Sequence, residues 1–337
     1  MKRIILYTIL IVIIAFLFPM FFTKKFLTEE TSAKIENKEE TAQNIDLINK
    51  DYTYEKYGEI KVLHTKTNEI EKMNLDEYLL GVVSAEMPVN FEKEALKAQA
   101  IVARTYTIHT IENSDHKHGE AEICDDSACC QAWISKEDRL ARWEEDKKEE
   151  NWEKIQDAVY STQGKIIVYN NNPINAFFHS NSGGKTEEVS NVWGGRDLPY
   201  LKSVETSGED AYSQYASEVN LTKSEFEEKV KQKYPDFVID YSNEECIKIL
   251  EYTNGDRVKT IKIGNLNLSG VEVRTLLGLR SANFEFNING ENLKFVVKGY
   301  GHGVGMSQTG ADALAKEGKN YEEIIKHFYT DVEIVNI

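Results

Sequence analysis

Apolar residues recur at helical spacing early in the chain, and one carboxylate completes the stripe that they form. Leu75, Leu79 and Val82 share one face of a helix, and Glu86 is the next position on that face. Asn74 is a suitable N-cap, and the proline two residues after Glu86 cannot continue the helix. Burial at the end of an apolar stripe raises the pKa of a carboxyl group, as an acid that works near neutral pH requires. The alternative is a helix-end Glu that turns out to solvent.

A second helix is predicted over residues 92–112. Between Ala98 and Ile111 its only charged residue is Arg104. A cation in so apolar a stretch requires a partner or a cleft. Alternatively, the stem packs while the guanidinium reaches solvent.

Downstream, one more helical segment is followed by segments in which apolar and polar residues alternate. Residues 136–162 are dense in Glu, Lys and Trp and predict one long helix, with Trp143 and Trp152 anchoring the side opposite a solvated face. Residues 165–169 and 174–179 alternate as strands do and are joined by an Asn-rich turn.

Strands and helices then alternate to the C-terminus. A helix capped by Thr222 is predicted over 221–234, and Asn254-Gly255 and Asn289-Gly290 each predict a hairpin. The remaining predicted elements are 246–252, 258–263, 270–277, 283–288, 293–297, 307–317 and 321–328. The fold class is therefore α+β, a mixture of helices and hairpins.

The N-terminus predicts an uncleaved membrane anchor over residues 1–22. Residues 4–22 carry no charge, follow two basic residues and reach roughly 28 Å as a helix, close to the thickness of a bilayer core. The segment has no Ala-x-Ala-like cleavage site, unlike a signal peptide. We therefore expect the rest of the chain to lie outside the cytoplasm.

The remainder divides into a polar linker, residues 23–50, and an ectodomain, residues 51–337. The linker has too few apolar residues to order itself. The ectodomain suffices for one sizeable core or two closely packed lobes around a cleft. Residues 113–162 are predicted to form an insert and a charged helix that pack over the cleft. The formal net charge of −16 argues against nucleic acid as a partner.

Three loops could carry chemistry. Residues 178–185 offer an imidazole, hydroxyls, an amide and paired glycines, which suit sugar hydroxyls or N-acetyl groups, although a polar turn has the same composition. Residues 298–311 hold four glycines between 299 and 305, which predict close backbone approach to a neighbour or a ligand. Residues 198–203 could present Tyr200 and Lys202, or form an ordinary turn.

Four soft ligands occur within thirteen residues of one another: His118, Cys124, Cys129 and Cys130. Zinc takes four nitrogen or sulfur ligands in a tetrahedron, and a short loop can wrap one ion. The spacing matches no common zinc finger, and disulfides or free thiols are the alternatives. A site whose four positions are all filled by protein is structural.

Four motifs in the same order carry a family resemblance from about Ile60 to the C-terminus. They are Ser-Ala-Glu86-Met-Pro, the helix ending in Ala-Arg104-Thr-Tyr, His179-Ser-Asn-Ser-Gly-Gly, and Gly301-His-Gly-Val-Gly-Met-Ser-Gln-Thr-Gly-Ala. Together they resemble the stage II sporulation protein D family. The resemblance implies a peptidoglycan lytic transglycosylase that acts during engulfment. Such enzymes cleave between N-acetylmuramic acid and N-acetylglucosamine in peptide-stripped glycan strands and leave 1,6-anhydro ends.

The resemblance also implies roles for individual residues. Glu86 matches the catalytic group, which acts first as acid and then as base. The expected substrate-binding residues are Arg104, His179, Ser180, Asn181, Ser182, Tyr200, Lys202, His302 and Gln308. Clostridial members carry zinc in a His-x5-Cys-x4-His-Cys pattern, and here Cys129 stands in the third position.

The implied partners are peptidoglycan glycan strands, a cell-wall amidase (stage II sporulation protein P) and an anchoring membrane protein (stage II sporulation protein M). The implied location is the mother-cell membrane facing the forespore. The alternative function is a non-catalytic glycan binder that activates a cell-wall amidase.

Overall fold

The computed structural model describes residues 53–113 and 117–337. The predicted anchor over 1–22 and the linker over 23–50 lie outside the described residues. Among the residues described, no helix is both long and apolar enough to cross a bilayer. Tyr54–Ile337 form one compact unit of helices and several small sheets, so the predicted mixture of helix and strand is confirmed.

Most predicted helices form, and local side chains cap several of them. The N-caps Thr222, Ser269 and Asn320 each form a capping box, which satisfies otherwise unpaired N–H groups at the helix start. The helices are α1 (Leu75–Glu86), α2 (Lys93–Asn113), α3 (Lys136–Leu140), α4 (Lys148–Tyr160), α5 (Val189–Trp193), α6 (Lys223–Lys233), α7 (Gly270–Leu277), α8 (Gln308–Lys316) and α9 (Tyr321–Phe328). Short 3-10 turns occupy Tyr54–Tyr57, Glu145–Lys147 and Glu209–Ala211.

The strands form small sheets rather than one large sheet. They are β1 (Glu59–His64), β2 (Glu69–Asn74), β3 (Ile123–Cys124), β4 (Lys165–Tyr169), β5 (Asn172–Pro173), β6 (Phe178–His179), β7 (Ala216–Thr222), β8 (Ile247–Tyr252), β9 (Val258–Ile263), β10 (Leu266–Ser269), β11 (Asn283–Asn289), β12 (Asn292–Lys298), β13 (Met306–Ser307) and β14 (Glu333–Asn336). The strand orders are β2-β1-β3, β14-β4-β5, β10-β9-β8, β11-β12-β7 and β13-β6. Both predicted Asn-Gly hairpins are confirmed, as β8–β9 and β11–β12.

Helix α2 is the centre of the packing around the site. It contacts α1, α4, α8, α9 and β4. Its alanines Ala95, Ala98, Ala100 and Ala103 are fully buried, and their small side chains let the neighbouring elements approach closely. A second hydrophobic cluster fills the space between the two three-stranded sheets of residues 216–298 and helices α6 and α7.

Two predicted elements are wrong. The helix over 136–162 is interrupted, because Glu144 is extended between α3 and α4. Trp143 and Trp152 are nine residues apart, so one continuous helix would point them to opposite faces. The break lets Trp143 line a cavity while Trp152 is buried in the core. The strand over 174–179 reduces to β6, because Phe178–His179 pair with β13 instead of β4.

Candidate active site

Glu86 is the last residue of α1, and its carboxylate is held by two hydrogen bonds from distant parts of the chain. The backbone N–H of Ala132 donates to Oε1 at 2.7 Å, and Gln308 Nε2 donates to Oε2 at 3.3 Å. Asn74 caps the start of the helix by accepting from the N–H of Asp76, as predicted. The apolar stripe that precedes Glu86 is fully buried, and Glu86 itself is half-buried at the end of that stripe.

Burial raises the pKa of Glu86 above its usual range, although the hydrogen bonds from Ala132 and Gln308 act in the opposite direction. No cation forms an ion pair with Glu86 in the described part of the chain. The carboxyl group is therefore poised to carry a proton at a higher pH than an exposed Glu would.

Two cavities flank Glu86, with volumes of about 490 and 610 Å³. Both are lined by Ala85, Glu86, Ser180 and Gln308, so Glu86 lies where the two meet. The first extends toward Trp143 and Gln214. The second extends toward Trp193, Tyr300 and the cysteine cluster. Their sizes are those of small-ligand sites, and together they form a cleft with room for sugar units on both sides of the carboxyl group.

The predicted loop after β6 is built into this cleft, but its side chains play different parts. Ser180 lines both cavities, and His179 lines the second. Asn181 and Ser182 are buried and point inward: Asn181 Nδ2 donates to Thr309 Oγ1 at 2.8 Å, and Ser182 Oγ donates to Glu209. Asn181 and Ser182 therefore hold the loop in place rather than face a ligand.

Glu209, which no sequence pattern marked as functional, organises this loop. Its buried carboxylate accepts hydrogen bonds from Ser182, Thr206, Ser307 and Thr309 side chains and from two backbone N–H groups. Burial alone would raise the pKa of Glu209, but these donors outweigh it and lower the pKa. An ionised carboxylate thus ties three loop segments together. No local signal marks it, because its partners come from positions 182–309.

The glycine-rich segment after β12 confirms the predicted close approach. Gly301, Gly303 and Gly305 have positive φ, where residues with a side chain are strained. A Cβ at Gly305 would lie 2.0 Å from the carbonyl oxygen of Phe177, and one at Gly303 would lie 2.1 Å from Arg257 Nη2. The segment can therefore pack directly against the strand that leads to His179.

The two histidines of the cleft are held as different tautomers. His179 Nδ1 lies 3.1 Å from the carbonyl oxygen of Val304 and must donate to it, which leaves Nε2 as a bare acceptor. Nε2 is buried and has no partner among the described residues. His302 Nδ1 accepts from the N–H of Val304 at 3.1 Å, and the imidazole also forms a hydrogen bond with the backbone of Phe178. His302 thus offers mainly its ring, which lies 5.0 Å from that of Trp193.

Burial, with a smaller effect from Arg257, lowers the pKa of His179 to about 3. His179 is therefore neutral at physiological pH and suits a hydroxyl or N–H donor of a ligand.

Besides Asn181 and Ser182, three further predicted substrate contacts lie away from the two cavities. Arg104 has no exposed surface; it donates to the carbonyl oxygens of Val159, Thr162 and Lys165 and pairs with Asp76 at 3.3 Å. Arg104 therefore finds its acidic partner and its hydrogen-bond acceptors in the core. Its guanidinium does not reach the cleft.

Tyr200 is nearly buried, and its hydroxyl accepts from the N–H of Asn175 at 3.0 Å. Lys202 is exposed. Neither residue lines the cavities at Glu86.

The predicted ligand cluster does assemble. The ligand atoms of His118, Cys124, Cys129 and Cys130 all lie within 4.8 Å of one another, so the cluster could hold a metal ion. His118 Nε2 is 3.3 Å from Cys130 Sγ and 3.7 Å from Cys129 Sγ. No disulfide joins the cysteines in the described residues, and Cys246 is buried in the second hydrophobic cluster.

The cluster adjoins the candidate acid. Cys129 and Cys130 line the second cavity, and Ala132, two residues further on, donates its N–H to Glu86. Gln131 is buried between them, where its Nε2 donates to Thr107 Oγ1 at 3.0 Å. The ligand loop therefore sets the position of one hydrogen-bond donor to the carboxyl group.

Gly81 of α1 makes room for this loop, and we expect Gly81→Ala to destabilise the protein. In most helix interiors this change stabilises by about 0.5–1 kcal/mol. Here the new Cβ would lie 2.2 Å from Trp133 Nε1 and 2.8 Å from the carbonyl oxygen of Ile134. Overpacking of this kind costs ~1–3 kcal/mol, which thermal unfolding would detect as a lower Tm. The loss of stability caused by Gly81→Ala should be smaller in a Trp133→Ala background. A higher Tm for Gly81→Ala alone would contradict the close contact between Gly81 and Trp133.

The fold and the site define a mixed α/β protein with a cleft built around one half-buried carboxyl group. A family model described as Stage II sporulation protein matches residues 63–169. The chain is 40% identical to stage II sporulation protein D of Bacillus subtilis over 276 residues, which cover 82% of this chain and 78% of that protein. It is 38% identical to the Bacillus amyloliquefaciens protein of the same name over 277 residues, with the same coverage. The chain belongs to the stage II sporulation protein D family, as its motifs predicted.

A more distant relative is the amidase enhancer of Bacillus subtilis. It is 27% identical over 299 residues, which cover 74% of this chain and 39% of that protein.

Proposed function

We propose that this chain is a peptidoglycan lytic transglycosylase that cleaves between N-acetylmuramic acid and N-acetylglucosamine during engulfment. One observation carries the proposal. Glu86 is the only carboxyl group among the described residues that line the two cavities, and burial raises its pKa. A glycosidase that uses water ordinarily needs two carboxyl groups, whereas a transglycosylase can use one group twice.

In the first step, protonated Glu86 donates its proton to the glycosidic oxygen as the bond to C1 of the muramic acid breaks. Oε1 is anchored by Ala132 at 2.7 Å, whereas the contact of Oε2 with Gln308 is longer, so we assign Oε2 as the reacting oxygen. The carboxylate that remains keeps both hydrogen-bond donors, which stabilise its charge.

In the second step, the carboxylate takes the proton of the C6 hydroxyl of the same muramic acid while O6 bonds to C1. The product is a 1,6-anhydro sugar, Glu86 is protonated again, and no water is consumed. His179 Nε2, an unpartnered acceptor in the wall of the second cavity, suits a substrate hydroxyl.

The experiment that tests the proposal uses the full chain in detergent and glycan strands already stripped by an amidase. Mass spectrometry of the released sugars should find 1,6-anhydro-N-acetylmuramic acid ends. Reducing ends would instead mean hydrolysis, and with it a second carboxyl group that the cavities do not show.

The second candidate function is a glycan binder that activates a cell-wall amidase. It is favoured by the relationship to the amidase enhancer. Absence of any cleavage, together with faster release of stem peptides by an added amidase, would support this alternative.

The partners that we propose are the amidase, stage II sporulation protein P, and the anchor, stage II sporulation protein M. We propose that the chain is anchored in the mother-cell membrane and faces the forespore.

We further propose that the ion of the His/Cys cluster is zinc. Three sulfur atoms and one nitrogen suit a tetrahedral zinc ion, and the contacts between ligand atoms are compatible with bonds of about 2.0–2.3 Å to a shared centre. Zinc would close the loop from His118 to Cys130 and would take no part in the chemistry, because all four positions are filled by protein.

Removal of the metal should therefore lower both stability and activity. Without the ion, the loop that carries Ala132 loses its closure, and Glu86 loses a hydrogen-bond donor. We expect chelation or Cys129→Ser to lower the Tm and to slow the formation of anhydro ends, as measured by scanning calorimetry, metal analysis and mass spectrometry. Cys129→His keeps four ligands and should retain the metal. Full activity and an unchanged Tm in the metal-free protein would contradict a structural site.

A further inference from the structure

Arg274 of α7 is a cation in the wall of the cleft without an acidic partner. It lines the second cavity, on whose wall Glu86 also lies. Among the residues that the structure describes, no carboxylate forms an ion pair with it and no acceptor receives a hydrogen bond from its side chain. It is half-buried, and this desolvation lowers its pKa, so leaving it without a counterion has a cost in free energy.

The other groups of this cavity do not pair with Arg274. Cys129 and Cys130 also line the cavity, but neither sulfur forms a hydrogen bond with Arg274 in the described part of the chain. Glu86 is its only carboxyl group, and burial favours the protonated form of that group. His179 and His302 are neutral, because burial lowers the pKa of each imidazole. Arg274 is likewise the only Arg or Lys among the described residues that line this cavity. The first cavity holds a second guanidinium, that of Arg139, so the inference concerns the second cavity. In a chain of net charge −16, a cavity whose only Arg or Lys is an unpaired guanidinium points to an anionic group on the ligand.

Muramic acid supplies such a group. Its lactyl ether ends in a carboxyl carbon, which is an amide while the stem peptide is attached and becomes a free carboxylate when an amidase removes the peptide. A guanidinium binds a carboxylate through two parallel charge-assisted hydrogen bonds, which a neutral amide cannot match.

We propose that Arg274 binds the lactyl carboxylate of a muramic acid unit and thereby selects glycan strands whose stem peptides have been removed. This assignment rests on the proposed function, because it takes a muramic-acid glycan as the ligand. It makes Arg274 a specificity-determining residue, distinct from Glu86.

The test measures binding separately from cleavage. Full-length, metal-loaded Glu86→Gln protein in detergent is titrated with amidase-stripped glycan strands, either with free lactyl carboxylates or with these capped as methylamides. We expect the free-carboxylate strands to bind at least about tenfold more tightly. Arg274→Gln in the same background should abolish the preference by weakening binding of the free-carboxylate strands alone. Arg196→Gln is the matched control, because Arg196 is exposed and lines neither cavity.

Equal affinity for both kinds of strand, or a preference that survives Arg274→Gln, would overturn the assignment. If Arg274→Gln does not fold, Arg274→Lys replaces it. A lysine keeps the charge but not the paired hydrogen bonds, so the preference for free-carboxylate strands should fall severalfold. An unchanged preference would overturn the proposal. Product analysis of the wild type separates the two claims. An Arg274-dependent preference without anhydro ends would reject the transglycosylase and leave the carboxylate subsite standing. Anhydro ends without any preference would reject the subsite alone.

Discussion

Replacement of Glu86 by Gln is expected to reduce the formation of anhydro ends by about 10²–10⁴-fold while the fold is retained. The amide keeps the shape of the side chain, and its carbonyl oxygen can still accept from the N–H of Ala132. It carries no proton to give to the glycosidic oxygen and cannot take one from the C6 hydroxyl. Both proposed steps are therefore lost through a single substitution.

The same variant should become more stable relative to the wild type as the pH rises. Burial raises the folded-state pKa of Glu86 above its unfolded value. The corresponding stabilisation is fully present below the unfolded pKa, about 4.3, and is lost as the pH rises through the folded-state pKa. Gln has no such loss. The wild-type cleavage rate should fall over that same upper range, because the acid must be protonated before the first step.

These outcomes are checked by mass spectrometry of stripped strands and by thermal unfolding across a pH series. Glu77→Gln is the matched control, since Glu77 lies on the same helix but is exposed. It should leave both activity and the pH dependence of the Tm unchanged. Retention of glycan cleavage by Glu86→Gln would remove Glu86 from the chemistry.

Replacement of Arg104 by Met is expected to destabilise the fold by about 3–5 kcal/mol, the range for removing one partner of a buried ion pair. Asp76 is almost fully buried and would be left without its cation. The remaining contacts of its carboxylate, from the Tyr54 hydroxyl and Gln163 Nε2, come from neutral donors. The carbonyl oxygens of Thr162 and Val159 would lose a charged donor as well.

A requirement for Arg104 would thus reflect the fold rather than contact with substrate. Chemical unfolding should show the loss in Arg104→Met, and activity per folded molecule, measured at a temperature where the variant remains folded, should stay near that of the wild type. Additional replacement of Asp76 by Leu should recover part of the stability, because it removes the uncompensated charge. Arg196→Met, at an exposed position, is the control. Undiminished stability with lost cleavage would instead assign Arg104 to the reaction.

Much of the fold was predictable because its signals are local. The N-cap Asn74 and the proline after α1 bound that helix, the two Asn-Gly turns bound their hairpins, and Thr222 caps α6. Each of these depends on contacts within a few residues of the chain. The interruption between α3 and α4 was not predictable in this way, because it serves Trp143 at the cleft and Trp152 in the core.

The sequence by itself determined the family motifs, the apolar stripe that ends at Glu86 and the set of four His and Cys residues that could hold a metal ion, since all of these are runs of neighbouring residues. Only the tertiary structure decided which residues meet Glu86. Its donors come from Ala132 and Gln308, the second of which is 222 positions away. It likewise decided that Arg104 lies in the core and that Arg274 faces the cleft. The physical reason is that a charged side chain is stabilised by whichever partners the folded chain brings within hydrogen-bond distance, and spacing along the sequence does not encode that distance.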